Sequence, residues 1–238
     1  MRARPAISRS SRHLSYGAIG LLGLVSMAAL FALRQELDVE RWTSSLQRQQ
    51  RAFERGEPSP AAPDPAGTAA PRARLLRAIF LLRTAQTTPD AGAAQRLRQE
   101  AEGELAAART ARATWGDAAV VTAFAESLRQ PESMSAIASA LAESYRGAPY
   151  LKDASRWRIE MGLWCWDLLP PVARDRLINE AVWYVRLRPQ DRTHVFGLMR
   201  LSPAYRPFLL RWYAVRSGDS DWRRGPVPMP AQPGTSSG

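Results

Sequence analysis

The chain has 238 residues, 45% of them hydrophobic, and a formal net charge of +11. That is room for one domain of ordinary size plus extensions, with enough apolar side chain for a buried core. A single cysteine (Cys165) and two histidines (His13 and His194) exclude an intramolecular disulfide, a cysteine metal cluster and, within one copy, a multi-histidine metal site.

The basic side chains are arginine apart from Lys152. Codon usage in a GC-rich genome explains that bias as readily as selection does, so each arginine is not read as a phosphate clamp. Residues 1–14 carry +4, through Arg2, Arg4, Arg9 and Arg12. Residues 34–72 and 217–238 each balance to zero. Residues 73–216 carry +7, of which +6 falls in 170–216.

Behind the basic tail 1–14, residues 15–33 read SYGAIGLLGLVSMAALFAL, with no charge between Arg12 and Arg34. At about 1.5 Å per residue the run matches the hydrocarbon thickness of a bilayer and predicts a transmembrane helix over 15–33. A cleaved signal peptide is the alternative, with Ser26 and Ala28 as the small pair. The anchor is preferred because the apolar run continues through Leu33. Arginines flank both ends, and the acids Glu36, Asp38 and Glu40 tip the balance toward a cytoplasmic N-terminus. The expected placement is the bacterial inner membrane, single-pass, with the main domain in the periplasm.

Residues 34–55 hold strong helix formers and no Pro or Gly, which predicts a juxtamembrane amphipathic helix. Val39, Trp42, Leu46, Gln49 and Phe53 form a heptad-like stripe on it. The stripe is either one face of a lone helix or the seam of a homodimer. Residues 56–72 contain five prolines and predict an extended, semi-rigid linker holding the next domain away.

From 73 to 216 every segment reads as helix. Leu75, Leu76, Ile79 and Leu82 make the first face, and Thr87-Thr88-Pro89-Asp90 ends it. Leu97, Ala101, Leu105, Ala108 and Ala111 make the next, followed by Trp115, Val120, Val121, Phe124 and Leu128. Gln130-Pro131-Glu132 breaks the chain before Ile137, Leu141 and Tyr145, and Gly147-Ala148-Pro149 breaks it again. Trp157, Met161, Trp164 and Leu168 run down one side of the following helix, with Ile159, Leu163 and Trp166 opposite. An apolar belt of that kind predicts a central, buried helix. Pro170-Pro171 restarts the chain into Ile178, Ala181, Val182 and Val185, and Leu187-Arg188-Pro189 closes it. Val195, Phe196 and Met199 follow, then Ser202-Pro203 and Tyr205, Phe208, Leu209 and Trp212. Residues 217–238 are expected as a disordered tail.

Each interval between breakers is one helix plus a turn, and two such units make a hairpin of repeat length. The junctions Thr88-Pro89-Asp90 and Arg188-Pro189-Gln190-Asp191 resemble those of the tetratricopeptide superfamily over roughly 75–216. The resemblance implies an all-α, antiparallel α-hairpin repeat domain used for protein contacts. The usual Trp, Gly, Tyr and Ala positions do not recur in register. The order of anchor, linker and repeat domain is also similar to single-span envelope proteins that accompany polysaccharide assembly and export, by architecture alone.

Catalytic motifs are missing from the sequence: it has no GxSxG, HExxH, Walker A or GxGxxG. His194 opens a helix and reads as a surface or capping residue. Cys165 between Trp164 and Trp166 reads as a buried structural thiol. Glu160, Asp167 and Glu180 are the carboxylates that glycan cleavage could use, but charges on the exposed side of packed helices explain all three. The aromatics Trp157, Trp164, Trp166, Trp183, Tyr184, Trp212 and Tyr213 read as core first, with one of the adjacent pair Trp183 and Tyr184 turned outward.

The expected surface for a partner or anion is Arg174, Arg176, Trp183, Tyr184, Arg186, Arg188 and Arg192. The reading is a non-catalytic scaffold of the bacterial envelope, accessory to polysaccharide assembly or export, with no cofactor or metal. Its expected partners are the membrane, a protein, an anionic polysaccharide or lipid, and a second copy, with nucleic acid excluded for a periplasmic domain. The alternatives are a carboxylate-based periplasmic enzyme acting on glycan and a basic domain that binds anionic glycan or lipid directly.

Overall fold

The computed structural model describes residues 9–63, 70–129 and 133–216, with side chains from Leu24 onward. These residues form nine α-helices and two short 3-10 turns, with no strand among them. The expected tail 217–238 and the first eight residues lie outside them. The chain divides into two units, Met1–Thr114 and Trp115–Gly238. The division falls inside the 73–216 stretch, at a break after Ala111 that the apolar pattern did not signal.

The first unit holds α1 (Arg9–Glu54), α2 (Pro71–Thr87) and α3 (Ala91–Ala111). Pro71 at the first turn of α2 supplies a preset backbone angle where no amide donor is needed. Asp90 caps α3 by accepting from the Ala93 amide, as the Thr-Pro-Asp junction predicts. α2 packs along both α1 and α3. Its arginines Arg74 and Arg77 reach Glu104 on α3 at 3.2 and 2.6 Å, and Arg77 also pairs with Glu100.

The heptad-like stripe is used inside the chain, as the packing face of α1. Trp42 is buried edge-on against Phe80 at 5.7 Å, in a cluster that includes Ala70, Ala73, Val39, Leu46 and Leu76. The buried Gln49 donates through Nε2 to Thr84 Oγ1 at 2.9 Å and to Ser59 Oγ at 3.0 Å. Part of the linker is thereby tied down at Ser59, and α2 lies against α1. Phe53 alone of the stripe is exposed.

The expected membrane span is overturned. No helix among the described residues is long and apolar enough to cross a membrane. α1 is long, at 46 residues. From Arg34 onward it turns charged, with Glu36, Asp38 and Glu40. The transmembrane helix at 15–33 and the single-pass inner-membrane placement with a periplasmic main domain fall together.

The second unit holds α4 (Gly116–Ser127), α5 (Met134–Gly147), α6 (Ser155–Trp164), α7 (Pro171–Leu187), α8 (Arg192–Arg200) and α9 (Tyr205–Arg216). Its prolines at 149, 170, 171, 189 and 203 all fall between helices or in a first turn. α7 is the central element, packed against α5, α6, α8 and α9. Ala173, Leu177, Ile178, Ala181, Val182 and Val185 are buried around it.

The aromatic helix expected at the centre is not there. α6 stops at Trp164, which is 54% exposed, and its buried face is Ser155, Arg158, Ile159 and Gly162. Small residues at that spacing let α6 approach α7 closely. A Cβ on Gly162 would sit 2.2 Å from Leu177 Cδ1. Gly116, where α4 begins, would place one 2.6 Å from Ala148 Cβ and 2.9 Å from the Ala148 amide nitrogen.

An ion pair lies at the centre of this packing. Arg158 on α6 and Glu180 on α7 are both fully buried, with Nε donating to Oε2 at 3.1 Å. The guanidinium also donates to Ser144 Oγ at 3.1 Å and to the Ala148 carbonyl at 3.0 Å. It lies 4.0 Å from the centre of the Tyr145 ring. Glu180 Oε1 accepts from the Leu151 amide at 3.1 Å and the Ser155 hydroxyl at 3.0 Å. Burial pushes the Glu180 carboxyl up, and Arg158, the Leu151 amide and Ser155 pull it partly back.

Two predictions follow from these contacts. Gly162→Ala and Gly116→Ala each destabilise the chain by about 1–3 kcal/mol through overpacking. Gly103→Ala, at an open position inside α3, stabilises it by about 1 kcal/mol. Denaturant melts of the three variants check the opposite signs. Arg158→Met strands a buried carboxylate and costs about 3–5 kcal/mol, and adding Glu180→Leu recovers most of the loss. Because the folded state holds the Glu180 proton more tightly, stability falls as pH rises from the unfolded carboxylate pKa of about 4.3 toward the higher folded value. The double variant loses that part of the slope; an unchanged pH profile would refute the assignment to Glu180.

Candidate functional site

The site is the corner where α5 ends and α7 begins. Gly147 and Pro149 stop α5, leaving its last carbonyls without helical partners. Arg176 of α7 donates through Nη1 to one of them, Tyr145 O, at 2.5 Å. Pro170 and Pro171 start α7. Arg174, in the next turn, donates to the Asp167 carbonyl at 2.9 Å and lies 5.4 Å from the Trp166 ring centre. Between the two helices lies a cavity of about 300 Å³ lined by Ala142, Tyr145, Arg146, Pro170, Val172, Ala173 and Arg176.

Most of that lining is apolar, and two arginines border it. The turn leading into α7 leaves Trp164, Leu168 and Val172 exposed at 54%, 53% and 56%. Such a surface can take up an apolar side chain while its arginines attract negative charge nearby. Tyr145 itself is fully buried, with its hydroxyl in the fields of Glu180 and Arg158. Burial, followed by Glu180, raises its pKa well above the usual phenol range.

Of the expected surface the structure brings Arg176 to the cavity, sets Arg174 against the turn before α7, and disperses the other five. On α7, Arg176 and Arg186 lie about 200° and 120° around the axis from Arg174, and Arg188 follows the end of the helix. Trp183 is half-buried against Tyr150, with ring centres 5.3 Å apart. Tyr184 is buried and donates to Asp191 Oδ2 at 2.6 Å. Burial and that bond push its pKa up to about 12. Trp183 is thus the outward member of the adjacent pair. Arg192 begins α8 and lies 5.2 Å from the Trp212 ring centre.

The candidate acids do not converge on a cleft. Glu180 is closed inside the ion pair. Glu160 is at the surface between α6 and α8, where its Oε1 meets Arg156 Nε at 3.1 Å and His194 Nε2 at 2.8 Å. Asp167 is exposed in the turn before α7. Cys165 is buried, and burial pushes its thiol up. Among the described residues no group of three His, Cys, Asp or Glu is placed to hold a metal ion.

Two parts of the site escaped the sequence reading. Arg146 and Val172 had no motif to mark them. Arg158 did leave a signal, since Ser155, Arg158, Ile159 and Gly162 share the spacing of one helix face. No family model, no curated protein and no solved structure matches the chain.

Proposed function

We propose that the chain is a non-catalytic helical scaffold that holds a protein partner at the α5–α7 corner. The observation that carries this reading is the contrast between what is closed and what is presented. The strongest polar chemistry, Arg158 with Glu180, is sealed from water. The outward features are an apolar cavity, three exposed apolar side chains and Arg146 with Arg176. That combination fits an extended or helical segment with large apolar residues flanked by Asp or Glu. The charge of +6 in 170–216 favours the same partner. The resemblance to tetratricopeptide hairpins, which serve protein contacts, supports the reading without fixing the partner.

The test is a binding titration of the full chain with peptides that alternate Leu or Phe with Glu, against the same peptides carrying Lys. The acidic set binds, and Val172→Asp and Arg146→Glu each weaken it about tenfold, a loss of about 1.4 kcal/mol. Equal binding of both sets, or no effect of Val172→Asp, overturns the corner as a docking site. Salt-sensitive retention on an anionic polysaccharide that ignores Val172→Asp would favour direct glycan binding instead. Glycan turnover abolished by Glu160→Gln would displace the scaffold reading altogether.

A further inference from the structure

α1 is packed within the chain on one face from Val39 downward, while above it Leu24, Val25, Met27 and Phe31 are exposed together with a row of leucines. Val39, Trp42, Leu46 and Gln49 pack toward α2. On the opposite side, Leu30, Leu33 and Leu37 are exposed at 66%, 56% and 54%. Their spacing of three and four makes them consecutive a, d and a positions of a heptad seam. A groove of about 580 Å³ continues that face downward past Leu37, Glu40 and Ser44 to Arg48, bordered by Pro63.

We infer that this face is a self-association seam, filled by α1 of a second copy in parallel register. This interface is independent of the α5–α7 corner. With Leu30 at an a position, Glu36 falls at g and Arg41 at e. Parallel coiled coils place each g residue beside the e residue five positions on in the partner. Glu36 of one copy then meets Arg41 of the other, twice by symmetry. Both are exposed, and the Arg41 side chain is 65% exposed, with its Asp38 contact long at 3.7 Å. An antiparallel pair would instead oppose e with e, bringing arginines together, and would lay the leucines over the polar end of the groove. Glu40, at the next d position, would face its own copy, so the seam ends there and the helices part toward Pro63. A second copy fits better than an unrelated helix because the chain supplies both halves of the charge pattern in register.

The test uses the purified full-length chain. Under mild oxidation Leu33→Cys and Leu37→Cys form disulfide-linked dimers, since equivalent a and d positions face each other. Ala28→Cys, equally exposed but at f on the far side, does not, and the buried Cys165 is silent in the parent chain. Sedimentation of the uncrosslinked protein gives a dimer that Glu36→Arg weakens at least tenfold and Glu36→Arg with Arg41→Glu restores. Monomeric sedimentation, or cross-linking at Ala28→Cys as efficient as at Leu33→Cys, overturns the seam. A double swap no better than the single one overturns its parallel register.

Discussion

Two opposite charges with no access to water dominate the second unit. Removing an arginine and a glutamate from solvent costs several kcal/mol each, and their attraction offsets that only when every remaining donor and acceptor is met. The Arg158 and Glu180 partners come from α5, the loop after it, α6 and α7. Satisfying the pair therefore requires four pieces of chain to be in place together. The apolar packing around it would tolerate small slips between helices, whereas the guanidinium geometry does not.

The outer corner is built by the same logic at lower cost. A helix that ends in Gly-Ala-Pro leaves carbonyls exposed, and arginines are the long donors available to meet them. Arg158 takes the Ala148 carbonyl from inside, and Arg176 takes the Tyr145 carbonyl from the other side. The end of α5 is clamped from two directions, and the cavity beside Val172 is the space that the clamps leave open. Arg174 and Arg176 are thus held by backbone oxygens before any partner arrives, which reduces the side-chain entropy lost on binding.

The helix content and most boundaries were legible because prolines and apolar periodicity act locally. Pro71, Pro171 and the Asp90 cap start helices where local chemistry says they should. The break after Ala111 carries neither proline nor an apolar gap, and only tertiary packing reveals it. The aromatic residues misled about α6: tryptophans at helical spacing suggested a core face, but the close approach to α7 selects the side with Ser155 and Gly162. The arginine surface failed on periodicity, since Arg174, Arg176 and Arg186 lie on different sides of α7 and Arg188 falls beyond its end. The apolar run near the N-terminus suggested a bilayer span, but no helix among the described residues is long and apolar enough for one.

The lower half of α1 is tied to α2 through Gln49, Ser59 and Thr84, all within 35 residues of sequence. The main helix pairs, α2 with α3 and α4 with α5, are likewise neighbours along the chain. Closing such short loops costs little entropy, so each hairpin can form as soon as its second helix exists. Arg158 and Glu180 are also near neighbours in sequence, yet their remaining partners, Ser144, Ala148 and Leu151, come from other pieces of chain. In the second unit local hairpin formation alone therefore leaves the ion pair unsatisfied, and α5, α6 and α7 have to meet as a group to complete it.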